Sequence, residues 1–393
     1  MDVDAAKERL CAEVDARAEV LIDASHRIHE HPELCFEEQH AHDLLCDLLE
    51  AEGLPVERGA FELDTAFRAD AGDDGPCIAV CCEYDALPGI GHGCGHNIIA
   101  TAGLGAALAA AALADELGGR IRVLGTPAEE GGGGKVYMAE RGAFEGADAA
   151  MMVHPADGDL TTMNAIAVAQ LWVEYEGLAA HAAAFPERGR NALDAAVLGY
   201  MNVAALRQHI GTEERVHGIF PDGGDKPNIV PAHATSHWYV RSPNLDTLAA
   251  LEDRVRACLQ AGADAAGCTM TVESRVPVYA DLLDNPPLID LYRANAERLG
   301  RRVRDGREFK VVGSTDMGNV SHLLPSIHPM IKVSPGNVPI HTADFAGFAA
   351  GERGDKAVLD GAKAMAMTIA DLWSDGGHLD AARAAFEATA DPG

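Results

Sequence analysis

Basic residues are scarce in this chain. Lys and Arg number 31 against 61 Asp and Glu, a formal net charge of −30 over 393 residues. So acidic a chain repels phosphate backbones and anionic lipid headgroups, which argues against a nucleic-acid partner and against an acidic membrane surface. The acids are spread along the chain instead of running together, which describes a solvated surface suited to high salt and not an acidic binding patch. No secretion leader is expected either: Met1-Asp2-Val3-Asp4 is acidic and no basic, then apolar, stretch follows. The longest apolar run, Ile98 to Leu113, consists mostly of Ala and Gly and reads as too short to span a bilayer, so no membrane segment is expected. Disulfide spacing is absent too. The nine cysteines are odd in number and irregularly placed, as buried thiols of a cytoplasmic protein are. No internal repeat or low-complexity linker interrupts the chain.

What is present is enough to build more than one core. Hydrophobic residues make up 48% of the chain, and its length predicts two domains. Residues 5–52 alternate charged and apolar positions at helical spacing, predicting two amphipathic helices that break near His31-Pro32. Cys77–Cys82 is a short apolar run ending in Glu83-Tyr84-Asp85, a buried strand that delivers acids to its C-terminal end. A glycine loop, a helix over Asn97–Leu117, a strand over Ile121–Gly125, a helix over 135–142 and a strand over Ala149–Val153 follow. This alternation predicts an α/β domain with a doubly wound, mainly parallel sheet. From about residue 167 the pattern becomes strand, helix, two strands, helix, strand. That βαββαβ order predicts an inserted α+β domain over 167–280, with the first domain formed by 1–166 and 281–393.

The candidate chemistry falls just past strand ends, where open α/β sheets carry their sites. Cys94 and His96 stand two residues apart among glycines in His92-Gly93-Cys94-Gly95-His96-Asn97. Taken alone they describe a buried thiol beside a loop histidine, or a nucleophilic cysteine paired with a base. Glu129 and Glu130 are adjacent acids in Thr126-Pro127-Ala128-Glu129-Glu130-Gly131, and adjacent acids repel unless a cation divides their roles. In a metal hydrolase one ligates and the other takes a proton from the attacking water, which makes Glu130 the ligand and Glu129 the base. The bland alternative is a solvent-facing acidic turn. The Gly131–Gly134 run lacks the Gly-Lys-Ser/Thr that a phosphate loop requires. His154 and His341 are two of 17 histidines, each ordinary by itself. His154 follows a strand, and His341 follows a Pro- and Gly-rich loop. Asp85 reads as a residue that holds an imidazole by hydrogen bond, or as a turn residue. Together these groups supply the soft and borderline ligands of a transition-metal site, and a cysteine-nucleophile hydrolase using Cys94 would leave most of them without work.

In this order the set resembles the M20 metallopeptidase family, and within it subfamily D, whose bridging ligand is a cysteine. The matching stretches are Glu83-Tyr84-Asp85-Ala86-Leu87-Pro88, Gly91-His92-Gly93-Cys94-Gly95-His96-Asn97, Pro127-Ala128-Glu129-Glu130-Gly131-Gly132, His154 and His341-Thr342. The resemblance implies two divalent metal ions per subunit (Zn, Mn, Ni or Co). Cys94 would bridge them, Glu130 and His341 would complete one site, and His96 and His154 the other. Glu129 matches the family's general base. The inserted domain is similar to the family's lid, through which a homodimer forms. There Gly177-Leu178-Ala179-Ala180-His181-Ala182 matches the segment whose histidine reaches the partner's active site to stabilise the oxyanion. Asn228 and Arg241 match the groups that hold a substrate carboxylate, a contact that suits a guanidinium fork. Glu83–Asn97 and Gly313–Ser321 look most like the subgroup of β-alanyl-lysine dipeptidases and p-aminobenzoyl-glutamate hydrolases. The implied activity is hydrolysis of the amide bond of small N-acyl amino acids or dipeptides; the alternative within the family is a homologue that binds metal or ligand without turnover.

Overall fold

The computed structural model describes residues 2–308 and 312–390. The chain divides into two compact units, Met1–Ala165 with Leu282–Gly393, and Ile166–Asp281.

The first unit is built around a six-stranded sheet in the order Val56–Arg58, Phe67–Ala71, Arg120–Gly125, Cys77–Cys82, Ala149–Met151, Ser326–Ile327. Its first two pairings are antiparallel and the other three are parallel. Every residue of Cys77–Cys82 is buried, as a continuous apolar run in a covered parallel strand must be. The helix that covers this strand, His96–Leu117, approaches closely because its residues are small. At Gly103 a Cβ would lie 2.6 Å from the Cys82 sulfur. This helix has 22 residues, long and apolar enough by length and composition to cross a bilayer, so the shorter run read from the sequence underestimated it. Its most apolar 18-residue stretch is 89% buried, inside a core shared with the long helix Glu352–Ser374. Each Leu or Ile buried there contributes roughly 1.5–3 kcal/mol.

Two expectations for this unit need correction. Residues 5–52 form three helices, not two: Val3–Ala16, Ala18–Glu30 and Gln39–Ala51. The extra break falls at Arg17, whose backbone leaves the helical region while its guanidinium takes the role of a cap, donating to the Glu13 carbonyl at 3.0 Å. No Gly or Pro marks that position. The strand expected over Ala149–Val153 stops at Met151, and a second short strand, His154–Ala156, resumes and pairs in parallel with Met330–Lys332. The resumed strand contains Pro155, which has no N–H to give to a continuous ladder.

The second unit is a four-stranded antiparallel sheet in the order Thr269–Glu273, Ala167–Glu176, His233–Ser242, Arg215–Asp222. Residues 169–176 and His233–Ser242 alternate buried with partly exposed side chains, so one face is covered. The helices Ala192–Leu206 and Leu245–Ala266 supply the apolar groups of that core, including Leu248, Leu251, Val255 and Leu259 around Trp238. Asn244 starts the second helix by a reciprocal cap with Thr247.

Candidate metal centre

Three parallel strands of the first unit end side by side, and their following loops bring the chemical groups together. Cys77–Cys82 leads into Glu83 and Asp85, then to Cys94 and to His96 at the start of the covering helix. Gly95 sits between the two donors with φ +79°, and a Cβ there would lie 2.9 Å from Pro155. Only glycine meets both demands, the left-handed backbone and the close approach of the His154-Pro155 segment. The strand Arg120–Gly125 leads to Ala128, which is also left-handed at φ 60°. Such a conformation costs a non-glycine residue about 1–2 kcal/mol. It is held by buried Glu38, which accepts the Ala128 N–H at 2.8 Å, and by the N–H groups of Gly132 and Gly133, which donate to the Ala128 carbonyl. Glu129 and Glu130 follow directly. His341 is left-handed as well, at φ 64°, and its N–H donates to the Gly93 carbonyl at 2.8 Å.

The resulting cluster has two triads of donor atoms, Cys94, His96 and His154 in one and Cys94, Glu130 and His341 in the other, each within 4.8 Å. A third, Glu83, His96 and Glu129, adjoins them. The Cys94 sulfur lies 3.4 Å from His154 Nε2, and Glu130 Oε1 lies 3.4 Å from His341 Nε2. His96 Nε2 faces Glu83, Glu129 and Glu130 at 3.6, 3.7 and 3.8 Å. These last three separations are too long for hydrogen bonds. Both His96 Nε2 and Glu130 Oε1 are nevertheless buried without a hydrogen-bond partner. Bond lengths of about 2.0–2.3 Å in a tetrahedral site put neighbouring ligands roughly 3.4 Å apart. Donors at that spacing, orphaned and buried, fit divalent cations held by thiolate, imidazole and carboxylate.

The electrostatics follow from burial and crowding. Burial, then the charges of Glu130 and Glu83, pushes Glu129 well above the ordinary carboxylate range. Burial acts on Glu130 in the same direction, but the His341 imidazole and the charge of His96 outweigh it and leave Glu130 low. One glutamate is thus biased toward holding a proton and its neighbour toward charge. Asp85 is held down to about 2: burial opposes this, and the charge and hydrogen bond of His96 together with the backbone N–H of Glu130 overcome it. Burial pushes the Cys94 thiol well up, which disfavours a free nucleophilic thiolate; a coordinated cation deprotonates a thiol outright. Burial lowers His154 to about 3, so its imidazole is neutral and available as a ligand.

Four further groups border the site and had no role in the sequence reading. Lys135 is fully buried, with Nζ 2.6 Å from Glu83 and 2.7 Å from Asp316. Asp316 also accepts the Lys135 backbone N–H at 2.9 Å. The His328 ring stacks on His154 with centroids 5.2 Å apart. Glu83 and Asp316 stand in motifs quoted above, which was the available signal; nothing in the sequence marks Lys135 or His328.

The other candidates lie in the second unit. His181 and Asn228 occupy exposed loops that are stitched together: the Ala182 N–H donates to the Asn228 carbonyl at 3.0 Å and the Val230 N–H to the Ala180 carbonyl at 2.9 Å. Arg241 is part-buried near the far end of the strand His233–Ser242, paired with Val168, its guanidinium 5.6 Å from the Tyr239 ring centre. The strand separates it from the Asn228 loop by eight residues beyond His233, about 26 Å at ~3.3 Å each.

Residues 79–371 match the Peptidase family M20/M25/M40. The chain belongs to that family. It is 38% identical to the Xaa-Arg dipeptidase of Mus musculus, over 98% of this chain and 93% of that protein. It is 30% identical to one of the subunits of the p-aminobenzoyl-glutamate hydrolase of Escherichia coli, over 93% of this chain and 92% of that protein. Among solved structures, an aminobenzoyl-glutamate utilization protein from Klebsiella pneumoniae superposes with a TM-score of 0.71 at 20% identity, covering 91% of this chain and 98% of that one. A Bacillus subtilis dinuclear metal-binding peptidase of the M20 family gives 0.69 at 19% identity, covering 91% and 99%. The M20 chain described here is a metal-dependent hydrolase of amide bonds, with a mixed α/β fold and a mainly parallel sheet.

Proposed function

We propose that this M20 hydrolase holds two divalent ions and cleaves the amide bond of small N-acyl amino acids or dipeptides. The observation that carries the reading is the sharing of Cys94 between two donor triads, with buried Glu129 beside them. Cys94, Glu130 and His341 would hold one ion, and Cys94, His96 and His154 the other. Bound there, the ions would supply Lewis-acid polarisation of the scissile carbonyl and lower the pKa of the attacking water. Glu129 takes the proton of that water and passes it to the leaving amine, a task that suits a buried carboxyl whose affinity for a proton is raised above the ordinary carboxylate range. Asp85 keeps Nδ1 of His96 occupied, so that Nε2 is the ligating atom. The names of the relatives, an Xaa-Arg dipeptidase and a component of a p-aminobenzoyl-glutamate hydrolase, support substrates with a free carboxylate beside the cleaved bond.

The second unit serves as lid and dimerisation domain in this reading. Exposed apolar side chains support it: Val197, Leu198 and Met201 on the helix Ala192–Leu206 and Phe220 on the edge strand Arg215–Asp222. Phe220 meets that helix at Tyr200, ring centres 5.6 Å apart, and Ile219 is exposed on the other face of the strand. Because Arg241 is far along the sheet from His181 and Asn228, one substrate would meet Arg241 of one protomer and His181 and Asn228 of the other. Arg241 grips the carboxylate and His181 stabilises the oxyanion. All nine cysteines are unbridged, in keeping with a reducing, cytoplasmic setting.

The deciding experiment is metal analysis of the purified chain followed by a screen of N-acyl amino acids and dipeptides. Hydrolysis that stops on chelation and returns with Zn, Mn, Ni or Co is expected. Full metal occupancy with no turnover of any member would leave a binding protein instead.

A further inference from the structure

A cleft of about 570 Å³ in the first unit is lined by Arg301, Arg302, Arg304, Lys332, Arg353 and Lys356, with Asp159 the one acid in its wall. The chain as a whole carries 61 acids to 31 bases, so this concentration of cations is the reverse of its composition. Some of the charge is structural. Arg301 has a largely buried side chain, with Nη1 2.9 Å from Asp159 and Nε 2.8 Å from Asp360, and Lys356 shares Asp360 at 2.7 Å. Arg302, Lys332 and Arg353 are exposed and enter no ion pair among the described residues. Arg353 also stands in the first turn of Glu352–Ser374, where the helix dipole disfavours a cation. Unpaired cations held together in this way oppose folding.

We propose that this cleft binds a small molecule carrying two or more phosphate groups. Its volume lies in the range of about 300–1,000 Å³ usual for small-ligand sites. Guanidinium groups match phosphate oxygens in pairs, and several cations lining one cleft call for a ligand of several negative charges in a compact space. An extended polyanion such as nucleic acid would have to lie against the acidic remainder of the surface, which repels it.

The test is calorimetric titration of pyrophosphate, and separately of ADP, into the metal-loaded chain at fixed ionic strength. Saturable one-to-one binding is expected, with Kd raised at least about tenfold in Arg302→Ser/Arg353→Ser, a tenfold change being ~1.4 kcal/mol. Both side chains are exposed and unpaired, so the unliganded thermal midpoint should not fall. A control, Arg188→Ser/Arg275→Ser, removes the same charge from the second unit and should leave the affinity unchanged. Tighter binding of ADP than of pyrophosphate would identify a nucleotide as the ligand, and equal binding a bare oligophosphate. Oligophosphates also chelate divalent ions, and the variant separates the two sites. Equal affinity in wild type and in Arg302→Ser/Arg353→Ser would assign the binding to the metal centre and overturn the proposal, as would the absence of saturable binding by either probe.

Discussion

Asp85 accepts a hydrogen bond from Nδ1 of His96 at 3.0 Å, with both side chains wholly buried. Its second oxygen accepts the Glu130 N–H at 2.8 Å. One carboxylate therefore fixes the tautomer of one proposed ligand and the backbone of another. Asp85→Asn keeps the volume and offers one acceptor where two are needed. Metal affinity, read by competition with a chromophoric chelator, should fall about 10–100-fold, the usual loss when such a supporting group is changed. Unchanged affinity would reduce Asp85 to a turn residue.

Glu129 is assigned a proton and no metal. Glu129→Gln should therefore keep bound metal near the wild-type content while kcat drops by at least about 10²-fold, the lower end of general-base effects. Metal content by emission spectroscopy and turnover on the same sample separate the two roles. Loss of metal along with activity would make Glu129 a ligand, for which the adjoining Glu83–His96–Glu129 cluster supplies the geometry.

The contrast between these residues and their neighbours shows what a sequence can carry. Cys94, His96, Glu129 and Glu130 sit in short motifs after apolar runs, so their types and their place past a strand end were legible without coordinates. Cys77–Cys82 was legible for the same reason, since a continuous run of small apolar residues has few other uses. The Lys135 ion pairs were not, because Glu83 and Asp316 lie 52 and 181 residues away and only the tertiary fold makes them neighbours. The helix break at Arg17 left no trace in composition, because the residue that stops the helix is itself a good helix former. The interruption after Met151 was hidden by an apolar sequence that continues through it.

Lys135 is buried between Glu83 and Asp316. Lys135→Met fills the same space and leaves two carboxylates to be neutralised in the interior. Breaking a buried pair in this way typically costs about 3–5 kcal/mol. Urea unfolding of the metal-loaded protein should show that loss, with part of it recovered in Lys135→Met/Asp316→Asn, since Asn still accepts the residue 135 N–H. Strict additivity of the two changes would show that Lys135 and Asp316 do not support one another.

Glu38 makes stability depend on pH in the opposite sense from an ordinary paired carboxylate. Burial, and then the charge of Asp85, raises it from 4.5 to about 7, although its bonds from Thr65 and Ala128 favour the ionised form. The folded pKa lies above the unfolded one, so the folded state binds the proton more tightly. The stabilisation is complete below pH ~4.5 and is lost as pH rises through about 7. The difference amounts to roughly 3 kcal/mol at ~1.4 per pKa unit. Glu38→Gln removes the titration and keeps an acceptor for Ala128, while the Thr65 hydroxyl can turn to accept from the new amide. Unfolding free energies measured from pH 5 to pH 8 should fall more steeply in wild type than in Glu38→Gln. Parallel curves would mean that Glu38 is ionised throughout, its charge held by the Thr65 and Ala128 donors alone.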